Sequence, residues 1–154
     1  MNNNNKLIVI DGIIGAGKTS LIEHLKNIIV RDNVLFISEP VDKFMEYKQF
    51  NPLKLSYENI KNKAITQLHI TNCLITHFKN VIEANKNKII ICERGLFSPR
   101  IFTNVSYELK HITEFEHCFI IDYLNEKIKN NLIDLQVVGL FFIDIPIDNA
   151  LKRI

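Results

Sequence analysis

Asp11-Gly-Ile-Ile-Gly-Ala-Gly-Lys-Thr-Ser20 (DGIIGAGKTS) follows a short β-branched run and precedes a striped amphipathic segment. Within it, Gly12-Ile-Ile-Gly-Ala-Gly17-Lys18-Thr19 satisfies G-x-x-x-x-G-K-[ST] without a gap. Its glycines let backbone N–H groups turn inward around an anion where a Cβ would obstruct. Lys18 supplies a mobile charge for β and γ phosphates, Thr19 a hydroxyl for Mg²⁺, and the helix start a positive potential. The predicted cradle comprises Gly12, Ile13, Ile14, Gly15, Ala16, Gly17, Lys18, Thr19 and Ser20. Gly15-Ala-Gly17 also begins a dinucleotide fingerprint, but Ser20 stands at its third glycine, which weakens that reading.

Strand, glycine loop and helix recur as an alternation along the chain. Lys6–Asp11, Val34–Ser38, Lys88–Cys92 and Val137–Ile145 read as short buried strands, the second stopped by Glu39-Pro40 and the fourth by Pro146. Helical stripes begin at Lys18 (Leu21, Ile22, Leu25, Ile28, Ile29) and run from about Ser56 to Ala84 as one long or broken helix. Others cover Pro99–Leu109, Thr113 to about Asn130 with Phe115, Phe119, Leu124 and Ile128 inward, and a start at Asp148. Alternation of this kind predicts an α/β fold, a parallel sheet with right-handed crossovers.

The 154 residues suit one domain, expected over 6–154 after a disordered tail at 1–5. With 47% hydrophobic and 23% charged residues, the chain can bury a core. Net charge is only +2 and scattered, which excludes the basic footprint of a nucleic-acid binder and leaves a small anionic ligand. Cys73, Cys92 and Cys118 form an odd set without a C-x-x-C pair, so each is expected to fill core rather than join a disulfide or zinc site. No basic-then-apolar leader and no apolar run of about 18 residues is present, so a cytoplasmic chain without membrane contact is expected. The Asn104-Val-Ser106 sequon is then silent.

A phosphate loop alone does not name the acceptor. Glu39 follows the second strand and Glu93 the third, at the carboxyl ends where open parallel sheets take ligands. Beside a triphosphate, one acid can hold Mg²⁺ through water while the other accepts a proton from an attacking hydroxyl. Arg94 can hold an oxygen near the transferred group.

The segments IDGIIGAGKTSLIEHL, SEPVDKF (38–44), TQLHI (66–70), ICERGLFSPRIF (91–102) and FIDIPIDNALKRI (142–154) resemble, in order, the deoxyribonucleoside kinases. The resemblance implies a P-loop NTPase-like three-layer sandwich, and transfer of phosphate from ATP with Mg²⁺ to a deoxynucleoside 5′-hydroxyl in precursor salvage. It makes Glu39 the general base, Arg94 the group holding that hydroxyl and the incoming phosphate, and Glu93 the partner of Thr19 at Mg²⁺. Phe44 falls where the family has an aromatic, usually Trp, lining the sugar and base. Gln67 matches the glutamine that pairs with a pyrimidine edge, and Tyr57, across a one-residue gap, a tyrosine on the 3′-hydroxyl. Phe102 adjoins a base-stacking position that Thr103 occupies. Family members commonly form dimers, and a homodimer is expected on that ground.

Several positions depart from the family pattern. Gly95 replaces a Ser, Pro99 a small residue or Asp that tunes base choice, and Thr66 a Phe, which implies looser base selection. The family's Arg-rich lid, further helix and fifth strand follow the segment resembling ALKRI, so four strands and a C-terminally incomplete domain are expected, with Arg153 at the lid root. Weakened turnover follows, and a truncated, non-catalytic nucleotide-binding remnant is one alternative. Thymidylate kinase, a nucleoside monophosphate kinase, is another. That family carries Arg before Glu-Pro, glycines after it and Asp-Arg-Tyr on the third strand, where this chain has Ser38, Val41-Asp42 and Glu93-Arg94-Gly95.

Overall fold

The computed structural model describes residues 5–131 and 135–154. Four strands, β1 (Asn5–Gly12), β2 (Val34–Ile37), β3 (Ile89–Glu93) and β4 (Leu135–Ile143), form one parallel sheet in the order β2-β3-β1-β4. Between them in sequence lie α1 (Lys18–Ile28), α2 (Val41–Met45), α3 (Pro52–Glu58), a 3₁₀ turn (Ile60–Asn62), α4 (Lys63–Ala84), α5 (Ser98–Glu108) and α6 (Glu114–Asn131); α7 (Ile147–Leu151) follows β4. This is the α/β architecture with a parallel sheet that the alternating pattern predicts.

The described residues form two compact units, one of 5–39, 82–95 and 135–154, the other of 40–81 and 96–131. The first unit holds the sheet with α1 and α7. Its central strands β1 and β3 are β-branched runs buried on both faces, with Leu7, Val9, Ile90 and Cys92 fully enclosed. On one face α1 presents Ile22, at 0% exposure, to Ile10 and Ile91, and Leu21, Leu25, Val34 and Phe36 close around them. Burying a side chain such as Ile22 contributes about 1.5–3 kcal/mol, which outweighs the modest helix propensity of so short a segment.

β1 starts at Asn5, one residue inside the expected tail. The Asn5 carboxamide accepts from Lys88 N (2.9 Å), which draws the residue into the sheet; residues 1–4 of that tail lie outside the described residues. β4 covers Leu135–Ile143 rather than Val137–Ile145 because Leu135 pairs with Asn5, and the register shift between Leu7 and Ile8 absorbs an extra residue. As the edge strand it leaves Leu140, Phe141 and Phe142 exposed.

The second unit is helical. The long stripe of 56–84 breaks, because Asn59 turns its carboxamide onto Lys61 N (3.0 Å) and diverts the backbone into the 3₁₀ turn before α4 begins. α3 is opened by Asn51, which accepts from Lys54 N, with Pro52 at the first helical position. α6 begins one residue after Thr113, which exchanges hydrogen bonds with Glu116 in a capping box. Its buried residues are Ile120 and Leu124, whereas Phe115 and Phe119 are 77% and 52% exposed and stack on each other. The expected inward phase was therefore wrong at those two positions. They lie one residue, about 100° of helix, away from the Ile120–Leu124 line that packing selects. Cys118 is exposed on the same helix, so only Cys92 of the three cysteines is fully buried. No described helix is long and apolar enough to cross a membrane.

Candidate active site

The first unit assembles most of the residues singled out by the phosphate loop and the two strand-end acids. β1 ends at Gly12 and α1 starts at Lys18, so Ile13–Gly17 is the predicted connecting loop. Gly12, Gly15 and Gly17 all have positive φ (153°, 80° and 90°). At Gly15 an added Cβ would stand 2.5 Å from the Ala150 carbonyl oxygen of α7, so the close approach of α7 to the loop requires glycine there. Arg153 extends the same contact, donating from Nη1 to Gly15 O (3.3 Å).

Lys18 is buried, and its Nζ donates to Gly12 O (3.0 Å) and Ile13 O (2.8 Å). Those bonds hold the ammonium over the loop. Burial lowers its pKa from the ordinary 10.5, and the Arg94 guanidinium lowers it further, while Glu93 and Asp11 oppose the shift. Thr19, on the first turn of α1, donates from Oγ1 to Glu93 Oε1 over 2.8 Å. Glu93 is the last residue of β3, registered opposite Ile10 of β1, and is only 8% exposed. A hydroxyl and a carboxylate thus meet beside the loop, an oxygen donor set of the hard kind that suits Mg²⁺.

Arg94 follows immediately, in the left-handed region at φ 49°. Non-glycine residues are held there only by surrounding structure. Two bonds supply the hold: Arg94 N donates to Ile10 O (2.9 Å) and the Cys92 thiol donates to Arg94 O (3.0 Å). Burial pushes that thiol up to about 12, so it stays a neutral donor. The turn aims the guanidinium at Glu39, with Nη1–Oε1 at 3.5 Å and both side chains largely enclosed. Burial raises the Glu39 pKa above its ordinary value; Arg94 pulls it back and Glu93 pushes it up again. A carboxylate with a raised pKa beside a fixed cation has the character of a general base.

Gly95, where the family pattern has Ser, lies against Val9, whose methyls would be 3.1–3.2 Å from an added Cβ. Packing of the turn onto β1 accounts for the smaller residue. Cys92 fills core as expected, at 0% exposure, and its bond to the Arg94 carbonyl carries no signal in the spacing of the sequence.

The remaining expected residues belong to the second unit. Phe44 of α2 is 3% exposed, and Gln67 of α4 is buried with its Oε1 lacking a hydrogen-bond partner. Thr71, one turn along α4, and Ser98 at the start of α5 likewise keep buried hydroxyls without partners. Thr103 is fully enclosed and bonds Pro99 O (2.7 Å), whereas Phe102 is 37% exposed. Tyr57 is 77% exposed, with the Lys63 ammonium 4.8 Å above its ring. A cavity of about 380 Å³ opens among Tyr47, Phe50, Leu55, Ile65, Leu68 and His69, and none of the expected substrate residues lines it.

Two thymidylate kinases from strains of Ureaplasma parvum serovar 3 are each 25% identical to the chain over 162 residues, covering 95% of it. The chain spans 62% of the length of these relatives. Residues 8–154 match the family model described as Deoxynucleoside kinase. With the match extending from the first strand through α7, the chain belongs to the deoxynucleoside kinase family.

Proposed function

We propose that the protein moves the γ-phosphate of ATP onto the 5′-hydroxyl of a deoxynucleoside. The observation that carries this reading is the convergence of Lys18, Thr19, Glu39, Glu93 and Arg94 within one unit of a deoxynucleoside kinase family chain. In the proposed mechanism Glu39 takes the proton from the 5′-hydroxyl. Arg94, paired with Glu39, holds that hydroxyl and the oxygens of the incoming group. The loop from Gly12 to Ser20 binds the triphosphate through its backbone N–H groups, and Lys18 neutralises charge on the β and γ phosphates.

The glycine cradle and the Thr19–Glu93 pair fit Mg²⁺·ATP, and these two residues would hold the metal, which when bound supplies charge neutralisation between the phosphates. Phe44 and Phe102 are assigned to the sugar and base, Gln67 to the base edge and Tyr57 to the 3′-hydroxyl. The unpartnered Oε1 of Gln67 supports its assignment, because a buried amide oxygen without a partner costs about 1–3 kcal/mol unless a ligand satisfies it. Transfer of label from γ-labelled ATP to a deoxynucleoside tests the reading.

A monophosphate acceptor is the second reading, and the likeness to two thymidylate kinases favours it. Under it, label passes to thymidine monophosphate instead. The exposed Phe115–Phe119 stack supports pairing of two copies through α6. Sedimentation then gives a concentration-dependent dimer that Phe119→Ser weakens.

A further inference from the structure

α4 buries Thr66, Gln67, Thr71, Leu74, Ile75 and Phe78. The last three are apolar, as a helix face turned to a core should be, whereas the earlier turns carry an amide and two hydroxyls. Thr66 is accounted for, because its Oγ1 donates to Pro52 O (3.0 Å). Thr71 is not. Its side chain is at 0% exposure, and its Oγ1 has no hydrogen-bond partner among the described residues.

A threonine within a helix has a ready partner in the carbonyl four residues back. Thr103 takes it on α5, donating to Pro99 O (2.7 Å). Thr71 makes no such bond to the Gln67 carbonyl, so its hydroxyl is turned off the helix backbone. Gln67 Oε1 is buried without a partner as well, and the two residues stand one turn apart on one face of α4, where side chains are neighbours. Two adjacent polar atoms that bond neither each other nor the surrounding protein destabilise the empty chain, and the edge of one ligand satisfies both.

We propose that Thr71 Oγ1 is a base-binding group of the acceptor site and completes, with Gln67, a two-point grip on a pyrimidine edge. The assignment rests on the proposed deoxynucleoside reading, in which Gln67 meets that edge. The two atoms differ in chemistry. Gln67 Oε1 only accepts, so it requires an N–H on the base, whereas a hydroxyl donates or accepts by rotation. At C4 thymine carries a carbonyl and cytosine an amine; the Thr71 hydroxyl donates to the first and accepts from the second. It therefore strengthens binding of both bases and favours neither.

Thr71→Val keeps the shape of the side chain and deletes the hydroxyl, so it separates a ligand-binding role from a structural one by the sign of two effects. Calorimetric titration of the full chain with thymidine and with deoxycytidine should show affinity for each falling about 5–20-fold. The melting temperature of the ligand-free protein should instead rise by about 2–4 °C, because an unpartnered buried hydroxyl has been removed. Thr71→Ser, which retains the hydroxyl, should bind both nucleosides within about twofold of the unsubstituted chain. Unchanged affinity in Thr71→Val overturns the assignment alone, as does an equal loss in Thr71→Ser. A lower melting temperature or failure to fold in Thr71→Val also overturns it, since the hydroxyl would then serve the fold. Absence of nucleoside binding by the folded, unsubstituted chain contradicts the acceptor reading itself and removes this assignment with it.

Discussion

Thr19 Oγ1 donates to Glu93 Oε1 over 2.8 Å, joining the first turn of α1 to the end of β3 across 74 positions of sequence. This bond sets a hydroxyl and a carboxylate where the proposed metal would lie. Glu93→Gln keeps the shape and the acceptor oxygen but removes the charge. The Mg²⁺ concentration giving half-maximal turnover should rise about 10–100-fold, with little change in thermal stability. A Mg²⁺ titration at saturating ATP checks this, and an unchanged requirement would take Glu93 out of the metal site.

Gly15 is where the loop is least able to accept a side chain. With φ at 80° and a virtual Cβ 2.5 Å from Ala150 O, Gly15→Ala must move the loop or α7. The expected loss is about 1–3 kcal/mol in urea unfolding. Affinity for a non-hydrolysable ATP analogue should fall as well. Full stability together with full affinity would show that α7 does not brace the loop.

Glu39 predicts a pH dependence with a definite sign. Its carboxylate is the active form, and burial raises its pKa above the ordinary 4.5. The acid limb of kcat/KM should therefore fall as pH drops through a midpoint above that value. Arg94 lowers the Glu39 pKa, so Arg94→Met should shift the limb to higher pH in whatever activity survives. An acid limb at or below 4.5, or a shift to lower pH in Arg94→Met, would contradict the assignment.

The cysteines should separate by reactivity. Cys118 is exposed and should react first with a thiol-specific reagent at neutral pH; half-buried Cys73, whose pKa burial raises, should follow slowly. Cys92, buried and pushed up to about 12, should react only on unfolding. Cys92→Ala removes the donor that holds the Arg94 carbonyl and should lower kcat more than it changes the KM for ATP. Rapid labelling of Cys92 in the folded chain would overturn the description of that turn.

The fold was legible wherever local pattern decided it. β-branched runs fixed β1 and β3, the loop motif fixed the start of α1, and an apolar stripe from Thr113 to about Asn130 placed α6. What escaped depended on tertiary choice. Phe115 and Phe119 are as apolar as Ile120 and Leu124, and only packing determines which line of α6 turns inward. The site divides in the same way. Lys18 and Thr19 followed from the motif and Glu39 and Glu93 from strand ends, whereas the left-handed φ of Arg94 and the Cys92 thiol that steadies it carry no sequence signal.

The central claim is the identity of the acceptor, and γ-labelled ATP offered separately with thymidine, deoxycytidine and thymidine monophosphate tests it most directly. Label should appear on the 5′-oxygen of a deoxynucleoside, and Glu39→Gln should lower kcat by about 10²–10⁴ while ATP binding persists. Lys18→Ala should instead weaken ATP binding. Label confined to the monophosphate, or no transfer to any deoxynucleoside from folded protein, would contradict the account.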